Sequence, residues 1–166
     1  MFQVPTLSAD PNAFYAELRA QLEALIADER DAIANLANAA ALIWHTTPGL
    51  NWAGFYLRRR ENELVLGPFQ GKPACVRIAV GRGVCGAAVV RGASVLVDDV
   101  HAFPGHIACD DASRSELVVP VRVDGRIVGV LDLDSPHAGR FTVADQRGFE
   151  ALVEVLERTA GLDSVL

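Results

Sequence analysis

Three cysteines and a set of acids near them are the residues best suited to chemistry. Cys109 lies in the stretch GHIACDDASRSELVVP, among Asp110, Asp111 and Glu116. Nearby negative charge disfavours a thiolate, so this is a poor place for a permanently ionised nucleophile. Such a loop can instead hold a cationic ligand and keep the thiol in reserve; an ordinary solvated loop is the plainer reading. Asp132 and Asp134, in RIVGVLDLDS, lie two apart, so on a strand they project to the same face. Carboxylates side by side are costly unless a cation, a ligand amine or a shared proton relieves them. A strand end reaching water would relieve them equally well.

A hairpin ties these acids together. Asp124-Gly125 between two apolar runs is a strong turn signal. Counting outward from it, an unbulged ladder sets Glu116 opposite about Leu133. Three acids then gather at one end of the hairpin. Hard metal ions want more oxygen ligands in a defined shell, whereas an ammonium group needs only acceptors and negative charge. In NWAGFYL, residues 51–57, Trp52, Gly54 and Tyr56 share one face, while Ala53, Phe55 and Leu57 share the other. Trp52 and Tyr56 with a glycine between them make a shallow aromatic wall, or simply two half-buried rings.

The cysteines match no zinc pattern: CxxC is absent, and no metal site is expected. His101, His106 and Cys109 form the only local alternative. Cys75 reads as the start of a strand. Cys85 sits near a helix start, where packing as a small hydrophobe and activation by the helix N-terminus are both open.

These groups need elements to hold them. Asp10-Pro11 reads as a helix start, with apolar residues at helical spacing through Ile26 and again from Ile33 to Ile43; DERD at 28–31 is a plausible break. After Gly49 the pattern changes to short β-branched runs separated by turns: NWAGFYL, ELVLG, ACVRIAV, SVLVDDV, ELVVPVRV and RIVGVLDLD. GVCGAAVVRG reads as a short helix stopped by Gly92. Thr142 and Asp145 read as a capping box for a last helix with Phe149, Leu152, Val153 and Leu156 on its apolar face. Helices, then strands without helical crossovers, then a helix imply an α+β fold. An antiparallel sheet carries helices packed on one face and leaves a ligand cavity on the other, beneath the 98–115 loop.

The 166 residues, 51% hydrophobic, suit a single domain over 1–166. A net charge of −6 argues against nucleic acid and anionic membranes as partners. No run is long and apolar enough to span a bilayer, and the N-terminus lacks signal-peptide character. The expected location is cytoplasmic, where cysteines serve as core, ligand or redox thiols more often than as structural disulfides.

Together GxCG at 83–86, HIACDxxSxSE at 106–116 and GVLDLDSP at 129–136 resemble the GAF-domain free methionine-(R)-sulfoxide reductases. NWAGFYL and GPFQGKPAC, 67–75, fit the same family, and the resemblance runs from about residue 11 onward. It implies a GAF-like fold and reduction of free methionine-(R)-sulfoxide to methionine. It implies Cys109 as the attacking thiol that becomes a sulfenic acid, and Cys75 as the thiol that resolves it to a disulfide. Cys85 is the family's third cysteine, open to an attacking or an alternate resolving role. Glu116, Asp132 and Asp134 match the acids around the substrate, and Trp52 and Tyr56 the aromatic wall. No cofactor is implied; thioredoxin is the external reductant, and a homodimer is common in the family. The alternatives are a GAF-type sensor of a small ligand and a redox sensor without turnover. Sensors of the first kind imply partner domains, which a single-domain reading does not provide.

Overall fold

The structure is a computed structural model that describes residues 7–105, 107 and 110–165. The N-terminal helical region is two helices, α1 (Pro11–Ile26) and α2 (Ala32–Thr46). Asp10 and Asp31 cap them, each side chain accepting from the backbone N–H three residues on, which meets one orphan donor per helix. The break falls in the DERD stretch, where Glu29 Oε1 accepts from the N–H groups of Arg30 and Asp31.

The strands are β1 (Trp52–Arg60), β2 (Glu63–Gly71), β3 (Arg77–Ala79), β4 (Val95–Val97), β5 (Ser115–Val123) and β6 (Arg126–Ser135). They form one antiparallel sheet in the order β3-β2-β1-β6-β5-β4. Helix α3 (Gly83–Arg91) lies between β3 and β4 in sequence and ends at Gly92, whose φ of 62° supplies the left-handed cap. Helix α4 (Val143–Thr159) begins with the predicted capping box of Thr142 and Asp145.

The pleat separates two cores. Ala53, Phe55, Leu57, Leu117, Val119, Leu131 and Leu133 point into a large cluster with α1, α2 and α4. Trp52, Tyr56, Val118 and Val130 point the other way, into a smaller cluster with α3 and the loops around it. Helices therefore cover one face as expected. The other face is covered by the short α3 and the loops around it, and there the cavity lies. Among the described residues no helix is long and apolar enough to cross a membrane.

Two expectations need correction. The run ACVRIAV is a strand only over Arg77–Ala79, so Cys75 precedes the strand instead of starting it. Pro73 has no N–H for a ladder, and the Val76 carbonyl pairs with β2, accepting from Leu66 N at 2.9 Å. The hairpin ladder is also bulged. Asp124 and Gly125 form the turn with positive φ at both positions, but the register shifts between Val121 and Arg122. Glu116 thus pairs with Asp134, not with Leu133. This one-residue shift matters, because side chains alternate faces and an unbulged ladder would leave Glu116 on the face opposite the two aspartates.

Candidate active site

The three acids stand where β6 runs between β1 and β5. Asp134 is flanked by Trp52 on one side and Glu116 on the other; Asp132 is flanked by Gly54 and Val118. Gly54 is required by what surrounds it. A Cβ there would lie 2.7 Å from Trp52 Cη2 and 2.8 Å from Phe69 Cα, inside contact distance. The missing side chain lets Phe69 of β2 stack on Trp52 at 5.3 Å, and Trp52 on Tyr56 at 5.8 Å between centroids. Both polar tips are used: Trp52 Nε1 donates to the Lys72 carbonyl at 3.1 Å, and Tyr56 Oη donates to the Cys75 carbonyl at 3.0 Å. The aromatic wall is therefore also the support for the segment that carries Cys75.

Helix α3 closes the cavity from above. Gly86 permits this approach, since a Cβ would sit 2.6 Å from the Ala79 carbonyl oxygen. The first turn of α3 brings Cys85 over β6, 3% exposed. Ligand atoms of Cys85, Glu116 and Asp132 all lie within 4.8 Å of one another. The Cys85 thiol and the Glu116 carboxyl both hydrogen-bond to Asp132. Asp132 Oδ1 nevertheless has no partner among the described residues, although Asp132 is only 6% exposed. The cavity holds about 40 Å³, room for about three waters.

Burial sets the protonation of this cluster. It pushes Glu116 well above the usual carboxylate range, and the charges of Asp132 and Asp134 push it further. Asp134 is raised in the same way, first by burial and then by Asp132 and Asp110. Asp132 is pushed up to about 6 by burial, and the hydrogen bonds from Cys85 and Glu116 hold it from going higher. The arrangement favours one anion, Asp132, with Glu116 and Asp134 inclined to hold protons. Burial also raises the Cys85 thiol well above its ordinary value, with the neighbouring acids adding to it. That is a resting thiol, and the helix N-terminus does not offset the effect.

Of the residues singled out from the sequence, Trp52, Tyr56, Cys85, Glu116, Asp132 and Asp134 line one cavity. Cys75 is disulfide-bonded, and its neighbour Ala74 lines the same cavity; Cys85 is a free thiol. Cys109 and His106 lie outside the described residues, while Ile107 and Asp110 on either side of Cys109 contribute to the wall. His101 is exposed, in a short turn at Val100–Ala102. In the acidic loop Asp111 is exposed, whereas Asp110 is turned inward. It accepts from Ala112 N at 3.0 Å, Lys72 Nζ at 3.1 Å and Asn51 Nδ2 at 3.2 Å. These bonds, the backbone one first, hold its carboxyl below the usual range.

Lys72, Asn51, Ser113 and Phe69 were not singled out from the sequence. Lys72 stands inside GKPAC, and a search for a cation at the cavity mouth would have reached it. Asn51 Nδ2 donates to Ser113 Oγ at 3.0 Å, pinning the end of the loop to β1, and no local signal marks that contact.

Comparison with known proteins places the chain in a family. The GAF domain family matches residues 21–160. The chain is 54% identical over 145 residues to the free methionine-R-sulfoxide reductase of Escherichia coli, covering 87% of each chain. It is 44% identical over 134 residues to the enzyme of that name from Saccharomyces cerevisiae, covering 76% of this chain and 74% of the other. Its fold superposes on the free methionine-R-sulfoxide reductase of Neisseria meningitidis, solved in complex with its substrate. The TM-score is 0.92 with 47% identity, covering 99% of each chain. Sequence and fold agree, and the chain belongs to the GAF-domain family of free methionine-(R)-sulfoxide reductases.

Proposed function

We propose that this protein reduces free methionine-(R)-sulfoxide to methionine by thiol chemistry. The observation that carries the reading is the convergence of Glu116, Asp132, Asp134 and the Trp52–Tyr56 wall on one cavity flanked by neighbours of Cys75 and Cys109. The substrate offers an ammonium group, a carboxylate and a polar S=O. Asp132, the favoured anion, takes the ammonium group, and the rings take the methyl end.

The Cys109 thiolate attacks the sulfoxide sulfur while Glu116 or Asp134 gives a proton to the sulfoxide oxygen. That attack forms a bond between Cys109 sulfur and the substrate sulfur. The protonated oxygen then passes from the substrate sulfur to Cys109 as the S–O bond and the new S–S bond break, leaving Cys109 as a sulfenic acid and methionine with the electron pair on its sulfur. Raised carboxyl pKa values suit the proton donor, because such a group stays protonated near neutral pH. Cys75 then attacks the sulfenic sulfur, water leaves and a disulfide forms. That Cys75 is disulfide-bonded supports this role. Thioredoxin, two electrons at a time, restores the thiols, and no bound cofactor is needed. Cys85, buried and protonated, serves as a hydrogen-bond donor to Asp132 and not as a redox thiol.

Selectivity for the free amino acid follows. A peptide-bound residue brings an amide in place of the ammonium group and leaves buried negative charge unpaired. That penalty is roughly 3–5 kcal/mol, the scale of a broken buried ion pair. Single-turnover reduction by separate cysteine-to-serine variants tests the thiol assignment. Cys75→Ser should give one equivalent of methionine, Cys109→Ser none, and Cys85→Ser should still turn over. Methionine formed by Cys109→Ser would overturn the assignment.

A further inference from the structure

We propose that the cavity is also a binding site for a thiophilic divalent cation such as Zn²⁺, held by Cys85 Sγ and by carboxylate oxygens of Glu116 and Asp132. Such an ion would act as an occupant that blocks the site and not as a cofactor. The three ligand atoms already lie within 4.8 Å of one another, on β5, β6 and the first turn of α3. Zinc binds sulfur at about 2.3 Å and carboxylate oxygen at about 2.0–2.2 Å, which in a tetrahedron sets ligands roughly 3.5 Å apart. The cluster needs only a small contraction to reach that spacing. A second observation points to a missing ligand. Asp132 Oδ1 is buried with no hydrogen-bond partner among the described residues, and Asp132 lines the cavity. Buried polar atoms are seldom left unpaired, and this one belongs to a residue lining a cavity of about 40 Å³, which suits a small ion.

The donor set argues for the kind of ion. One sulfur with two oxygens favours zinc-like metals over magnesium or calcium, which take oxygen ligands and more of them. Three protein ligands leave a fourth position open to the cavity. Two positive charges on the metal offset the crowding of acids, as an ammonium group would, so ion and amino acid exclude each other. The exclusion rests on the reductase reading; the metal site does not.

The test uses the disulfide form, where Cys85 is the free thiol, verified as one thiol per denatured chain. Zn²⁺ alone is titrated calorimetrically and Co²⁺ spectroscopically, with no amino acid present. One equivalent of Zn²⁺ should bind, Co²⁺ should develop a thiolate-to-metal charge-transfer band, and millimolar Mg²⁺ should displace neither. Asp132→Asn and Cys85→Ser should each weaken Zn²⁺ at least about 100-fold. No stoichiometric binding, or affinity unchanged in both variants, would overturn the proposal. If Cys85→Ser does not fold, the wild-type Co²⁺ spectrum decides alone, and a bound ion without sulfur character refutes the site. Failure here leaves turnover of the sulfoxide untouched, so the two readings fail separately.

Discussion

Replacing Asp132 with asparagine should make the ligand-free protein more stable and a far poorer enzyme. Folding takes the Asp132 carboxyl from an ordinary value of 3.8 to about 6, chiefly by burial. At about 1.36 kcal/mol per pH unit, holding it ionised costs the folded state about 3 kcal/mol. The sign is fixed by linkage. An acid whose pKa rises on folding binds its proton more tightly when folded, so the wild type loses stability as pH rises from 3.8 through about 6, and stays at the lower level above. Asparagine keeps the shape and one acceptor oxygen but does not titrate. At pH 7.5 the variant should gain up to about 3 kcal/mol, which for a domain of this size is roughly 6–12 °C in Tm. At pH 4 most of that gain should be gone. Turnover should move the other way: losing the charged partner of the substrate ammonium lowers kcat/KM by roughly 10²- to 10³-fold. The assay is a pair of thermal melts at the two pH values beside steady-state kinetics. A Tm at pH 7.5 that is unchanged or lower, or a gain as large at pH 4, would refute the argument that Asp132 is held ionised against its surroundings.

Two glycine substitutions separate the site from the scaffold. Gly54→Ala should press Trp52 and Phe69 apart, raise KM for the sulfoxide by at least about tenfold, and cost roughly 1–3 kcal/mol by overpacking; unchanged KM in a folded variant would contradict the wall's role. Gly148→Ala sets a methyl against the Tyr15 ring, whose hydroxyl donates to Asp145 of the α4 capping box at 2.6 Å. Denaturant unfolding should show a loss of roughly 1–3 kcal/mol or more, with kcat/KM per folded molecule unchanged because α4 lies on the other face of the sheet.

Much of this architecture was legible because strong local signals agreed with one another. Alternation in NWAGFYL and LDLD assigned faces correctly, and Asp10, Thr142 and Gly92 mark helix ends by the chemistry of their caps. The register of the hairpin was not legible. Its turn is explicit in Asp124-Gly125, but the bulge beyond it has no residue signature, and it alone sets Glu116 beside Asp134. Cys75 was misplaced for a related reason, since a β-branched run beside Pro73 reads as strand from its first residue although the strand covers only Arg77–Ala79. Contacts between distant segments, such as Lys72 with Asp110 or Cys85 with Asp132, depend on how α3 and the loops fold over the sheet. Periodicity carries no information about them.

In the proposed function, buried acids read the ammonium group of a free amino acid while thiols reduce its sulfoxide. Thioredoxin-coupled NADPH consumption tests it most directly, run in parallel on free methionine-(R)-sulfoxide, the free (S) epimer and the N-acetylated (R) form. Turnover of the first alone is the expected result. Equal turnover of the N-acetylated form would contradict the role given to Asp132 and its neighbours, and no turnover of any, with the thiols reduced at the start, would contradict the enzyme itself.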